Sequence, residues 1–314
     1  MKEISHDKAL DRIAEVEEIL KDTKVKLPEA LMQKVIEQIE AIKEKFENGN
    51  PIYEKDFNFT DKVKDYLFSV NLVREKYKEN LEVLKLFNLY NLDAPETGDV
   101  PPPSMEEAMQ ILCDSITPEK REVIEKMEKA TFQLIPITSM NRYIKALDSY
   151  LPMDEQIEAA VSPWHKDAFK RADERDGAKD DTIIGWKIAV TEGSKEPKLL
   201  DGDDVNKTLR ERGAWFKQKF QRKGISGVDL KRMLALMMNA LKNIEPLNNI
   251  NKKRGTWTFV NEEPEKDDEV SGAGWWSDKS YNKNLGVFVN GGKASSNEFK
   301  NARFRTSVVV DVPR

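Results

Sequence analysis

The chain has 314 residues, of which 39% are hydrophobic and 34% charged, with a formal net charge of −5 and one cysteine. That apolar content can build a core, and its mixed charge excludes wholesale disorder; the length suits one large domain or two ordinary ones. The acidic balance gives no support to general nucleic-acid binding, and a lone cysteine excludes an intrachain disulfide and fits a reducing compartment.

The chain opens with MKEISHDKALDRIAEVEEIL, which lacks an uninterrupted apolar run. No signal peptide is expected, and no window approaches the ~18 apolar residues of a membrane helix. The expected location is cytoplasmic, with no membrane partner.

Helix punctuation fills the first half. Pro28 suits a first helical position, and Met32, Val35, Ile36, Ile39 and Phe46 follow at helical spacing. Val63, Leu67, Val70, Val73, Tyr77, Leu81 and Leu84 form a longer stripe. Ser104 and Glu107 match a capping box, while Thr117-Pro118 and Ser162-Pro163 each pair a cap with a helix-starting proline. NLDAPETGDVPPPS (Asn91 to Ser104) reads as a long Pro-rich connection. Amphipathic helices need partner surfaces, so an antiparallel bundle is expected over residues 1–176. Cys113, in MQILCDS, reads as a small buried apolar residue.

The texture changes near residue 176. Of 15 glycines only Gly49 and Gly98 come earlier, and all six tryptophans lie between Trp164 and Trp276. The charged RADERDGAKDD (Arg171 to Asp181) marks the expected boundary. Beyond it, Ile184, Trp186, Ile188 and Val190 alternate as in a strand. VNKTLRERGAWFKQKF suits a helix. Ser226 and Asp229 suggest a capping box ahead of the face Leu230, Met233, Leu234, Met237 and Leu241, whose methionines read as core. Trp164, Trp186, Trp215 and Trp257 also read mostly as core. GTWTFV, NLGVFVN and RFRTSVVVDV then read as strands, the last with Phe304, Thr306, Val308, Val310 and Val312 on one face. The expected fold class is α+β: an all-α helical domain over 1–176, then a mixed α+β domain over 182–314.

Reaction chemistry is sparse. The two histidines, His6 and His165, have no visible partners for a triad or a metal site. No phosphate-binding loop of the Walker type is present, and GISG is not a dinucleotide fingerprint. Asp201, Asp203 and Asp204 are clustered, but without a downstream bidentate Glu they read as a turn and helix cap rather than a calcium loop. No cofactor, metal or catalytic residue is therefore expected.

The stretch Gly274 to Ser307 stands apart. Between Ser277 and Asn301, 15 of 25 residues are Asn, Ser, Tyr, Asp or Lys. A core cannot use so many polar groups. Tyr and Trp give rigid contact area while Ser and Asn give adaptable hydrogen bonds, a mixture used by binding loops. The candidate ligand-binding residues are Trp275, Trp276, Ser277, Lys279, Tyr281, Asn282, Asn284, Lys293, Ser295, Ser296, Asn297, Phe299 and Asn301. Trp275 or Trp276 would anchor a ligand. Arg303 and Arg305 alternate with inward Phe304 and are expected on the opposite face, placed to hold the loop through its backbone carbonyls.

The order strand–helix–helix–strands, with GWWSDKSYNKN, NGGKASSNEFKN and ARFRTSVVV near the end, resembles the C-type-lectin-like fold. The nearest flavour is its formylglycine-generating-enzyme-like branch, which includes variable proteins diversified by retroelements. The resemblance covers residues 182–314. It implies a rigid scaffold whose side chains form a ligand-binding face. The branch's Leu-Pro-Thr-Glu and Gly-Asn-x-x-Glu-Trp segments are missing, and so are the enzyme's catalytic cysteines, so no such activity is expected.

The leading expectation is thus a non-catalytic protein that binds a protein or other macromolecule at its C-terminal face, with the character of a diversity-generating-retroelement target. An alternative is a structural or assembly protein whose N-terminal helices make the contacts, through homo-oligomers. A third is an enzyme using Asp201, Asp203 and Asp204 with a metal.

Overall fold

A computed structural model describes residues 2–21, 27–150, 163–243, 258–260, 269–276, 286–293 and 302–313. The fold is mixed α+β. The chain divides into two compact units: Met1–Val73 with Met109–Ile116, and Arg74–Ala108 with Thr117–Arg314.

The first unit is helical among its described residues. It contains α1 (His6–Lys21), α2 (Glu29–Glu47), a 3-10 turn at Glu54–Phe57, the first half of α3 (Asn58–Leu86) and the last turns of α4 (Met105–Ser115). Pro28 stands one position before its expected place, as the N-cap of α2. Val35, Ile39 and Ile42 form the buried stripe of α2, while Ile36 is 40% exposed. These side chains, with Ala9, Ile13 and Val16 of α1 and Val63, Val70 and Val73 of α3, belong to the core of the unit. Cys113 is buried, and burial pushes its thiol up to about 11. Burial of this kind disfavours the thiolate form.

The second unit carries the sheets. After α5 (Pro118–Glu125) comes β1 (Ala130–Pro136), then α6 (Met140–Tyr150), α7 (Pro163–Asp176) and β2 (Trp186–Glu192). There follow α8 (Leu209–Phe220), β3 (Ile225–Gly227), α9 (Leu230–Lys242), β4 (Thr258–Val260), β5 (Glu269–Trp276), β6 (Gly286–Lys293) and β7 (Thr306–Asp311). One antiparallel sheet has the order β1-β2-β7-β3 and a second the order β4-β5-β6.

The region read as an all-α domain therefore contains a strand. β1 pairs with β2 from Ala130↔Glu192 to Pro136↔Trp186, across the boundary expected near 176. ATFQLIP is buried at five consecutive positions, so it lacks the period-two alternation of a half-exposed strand. Part of its outer edge is covered by side chains. Asn80 of α3 donates from Nδ2 to the Phe132 carbonyl (2.8 Å) and accepts from the Leu134 amide at Oδ1 (3.1 Å), while the Tyr143 hydroxyl donates to the Pro136 carbonyl (2.9 Å). An edge strand left bare would invite pairing with another chain.

The inner helix α9 packs Ala235 against Ile135 and Ala189 of the sheet. Its methionines Met233, Met237 and Met238 are at most 1% exposed, in line with the core reading. Its N-cap is Asp229, whose side chain accepts from the Arg232 amide. Ser226 does not cap the helix; it lies in β3, and its hydroxyl takes a bond from the Arg232 guanidinium. Two other expected caps form among the described residues. Ser104 and Glu107 exchange side-chain bonds to each other's amides, and Thr117 caps α5 with Pro118 behind it. Ser162 and Trp257 lie outside the described residues, as do the side chains of Trp164 and His165.

Candidate functional site

The expected binding stretch is a hairpin rather than one loop. Trp275 and Trp276 end β5, and Trp276 pairs with Gly286, so both tryptophans stand where the chain leaves the hairpin for residues 277–285. Lys293 closes β6 opposite Glu269, at the other end. Seven steps along a strand separate those ends by about 24 Å at ~3.4 Å per residue. The three described candidates, Trp275, Trp276 and Lys293, therefore stand at opposite ends of the hairpin. Ser277, Lys279, Tyr281, Asn282, Asn284, Ser295, Ser296, Asn297, Phe299 and Asn301 lie outside the described residues. Glycines in EVSGAGWW hid β5, because Gly is a poor strand former and breaks the apolar alternation.

The chain that follows is held by a clamp at Ala302–Arg305. The Ala302 carbonyl accepts from Arg212 of α8 (2.8 Å), and Arg212 also grips Asp203 through two 2.7 Å bonds. Both of these charged side chains are 1% exposed. Burial of an ion pair is tolerated when geometry is bidentate and the remaining donors find acceptors, as here. Phe304 stacks on Phe216 with ring centroids 4.7 Å apart, and the Arg212 guanidinium lies 5.7 Å from the same Phe304 ring. Arg303 forms a backbone bridge with Thr258 of β4.

Arg305 completes the clamp. It is fully buried and donates to the carbonyls of Glu192 (2.8 Å), Ser194 (2.7 Å) and Lys195 (3.3 Å), and to Thr258 Oγ1 (3.0 Å). One side chain thus joins β7 and the turn after β2 to the first strand of the other sheet. Arg305 was expected to hold the carbonyls of the C-terminal binding loop; the carbonyls it bonds are instead those of residues 192, 194 and 195, because its side chain turns into the buried junction with β2. Burial lowers its pKa to about 10, and the nearby Glu192 carboxylate opposes that fall. Glu192 is itself held by the amides of Glu128 and Ser194, each at 2.9 Å.

A second polar cluster lies under α9. Lys231, 1% exposed, has Nζ 3.0 Å from both Asp173 Oδ1 and Asp176 Oδ2. Asp176 also meets Lys187 at 2.8 Å. Asp173 accepts from the Met140 amide at the start of α6. Burial would raise the pKa of Asp176, but the bonds and charges of Arg175, Lys231 and Lys187 hold it well below the carboxylate range. Asp229 is lowered in the same sense by Arg232 and Arg175, again against burial. Every member has an opposite charge at hand, which describes a structural network rather than a poised acid or base.

In the aspartate cluster near residue 201 the carboxylates of Asp203 and Asp204 bond to protein partners, while at Asp201 it is the backbone carbonyl that does so. Asp203 holds Arg212, Asp204 accepts from the Asn206 amide and side chain, and the Asp201 carbonyl accepts from Lys219. None of the three aspartates is the helix cap expected there: α8 starts at Leu209, and its N-cap is Thr208, in a capping box with Glu211. Among the described residues no group of three His, Cys, Asp or Glu is placed to hold a metal ion. No described helix is long and apolar enough to cross a membrane. No family model, curated protein or solved structure matches the chain.

Proposed function

We propose that the protein is a non-catalytic binding protein that presents the tryptophan end of the β5–β6 hairpin to a macromolecular ligand. Within the candidate set this selects Trp275, Trp276, Ser277, Lys279, Tyr281, Asn282 and Asn284 as the first contact group. The observation that carries the reading is the pairing Trp276↔Gly286, which sets two tryptophans at the mouth of a nine-residue polar connection, 277–285. The supporting feature is the clamp, in which Arg305 ties this hairpin's sheet to a buried scaffold. Binding loops placed on rigid supports lose less entropy on association.

A C-type-lectin-like scaffold over 182–314 belongs to the same proposal. The order β2, α8, α9, then β4 to β7 agrees with the strand–helix–helix–strands pattern, and the first and last strands pair. The short β3 between the helices and the added β1 depart from it.

The test is site-specific photo-crosslinking. A benzophenone side chain replaces Tyr281 in the full-length protein, or Lys170 as an exposed control, in lysate of the producing cell. A discrete adduct is expected from position 281 only, lost in N282A/N284A with the melting temperature unchanged. Equal labelling from both positions, or none from 281, overturns the proposal.

A further inference from the structure

A cleft of about 400 Å³ opens between the second half of α3, the start of β1 and the last turns of α9. Its floor includes Leu236 and Ala240. Its rim carries three lysines. Lys76 is neutralised by Glu79 at 2.8 Å. Lys129 and Lys195 line the same cleft with no carboxylate at ion-pair distance among the described residues. The segments that carry them are neighbours because the Gly193 amide donates to the Lys129 carbonyl at 2.7 Å, which joins the start of β1 to the turn after β2. That approach requires glycine: a Cβ at 193 would stand 1.9 Å from Thr131 Oγ1.

Asn80 and Tyr143 already take the Phe132 carbonyl, the Leu134 amide and the Pro136 carbonyl of β1, which works against an extended peptide adding a strand there. The volume suits a small molecule. The chain as a whole is acidic, but distant charges are screened beyond a Debye length of ~8 Å; the local balance sets the two lysines against the Glu192 carboxylate, which the amides of Glu128, Lys129 and Ser194 already hold.

We propose that this cleft binds a compact organic anion with carboxylate or phosphate groups, held by Lys129 and Lys195, its apolar part over Leu236 and Ala240. The test is calorimetric titration of the full chain with glutarate, with inorganic phosphate and with neutral glutaramide. Saturable binding of at least one anion, and none of glutaramide, is expected. In K129Q/K195Q the affinity should fall at least about tenfold, as when charge-assisted contacts are lost. Its melting temperature should not change, because both lysines are exposed. Preference between the two anions tells carboxylate from phosphate ligands. No anion binding up to about 10 mM, beyond the range of ordinary specific sites, overturns the proposal. So does equal binding of glutaramide, or an unchanged affinity in the double variant.

Discussion

Single charged residues were the least legible part of this sequence. In KRMLALMMNAL the first two residues look like a solvated helix start, yet Lys231 and Arg232 are buried. The partners of Lys231 come from α7, more than fifty positions earlier, so no local pattern reveals them. The network makes a pH prediction. Asp176 and Asp229 both have folded-state pKa values below those of the unfolded chain. The unfolded state therefore binds more protons in acid, and their contribution, complete above about pH 5, is lost as pH falls through and below 4. In Asp176→Asn that acid-side slope should shrink. At neutral pH the variant should lose about 3–5 kcal/mol, because Lys231 and Lys187 keep their charge beside a neutral amide. Urea titrations of both proteins from pH 3 to pH 7 measure each quantity; equal slopes would remove the network from the account.

At the scale of elements, the helices were legible and the strands partly so. Caps act within four residues, so Ser104 with Glu107 and Thr117 with Pro118 could be read directly. β1 could not, because a strand buried on both faces lacks alternation. β7 was legible from its valines, but not the target of Arg305, since residues 192–195 lie over a hundred positions away. Arg305 is where the elements depend on one another. Lysine there keeps the charge but cannot reach three carbonyls and a hydroxyl in one plane. Arg305→Lys and Arg305→Gln should each cost about 3 kcal/mol or more, by leaving buried carbonyls unpaired. Proteolysis should then cut the β4–β6 region before the rest, since a buried tie to the scaffold is gone and the Thr258–Arg303 backbone bridge is left without it. A uniform loss of stability with no change in cleavage order would show that Arg305 does not couple the two sheets.

At the scale of the molecule, composition located a change of texture near residue 176, but the sheet ignores it. Glycine and tryptophan content reports where turns and aromatic residues lie, whereas a sheet joins strands wherever their edges match. β2 needs β1, and Trp186 donates from Nε1 to the Val100 carbonyl at 2.8 Å. A fragment of residues 177–314 would lose both partners and bare the edge of β2, six of whose seven residues are buried. Residues 74–314 retain β1, Asn80 and Val100. The longer fragment should therefore melt cooperatively. The shorter should aggregate or show no sharp transition, since an exposed, apolar strand edge recruits other chains. Circular dichroism melts with light scattering on the two fragments decide it. A cooperative, monomeric 177–314 would mean that β1 is an accessory to the C-terminal scaffold and not a part of its core.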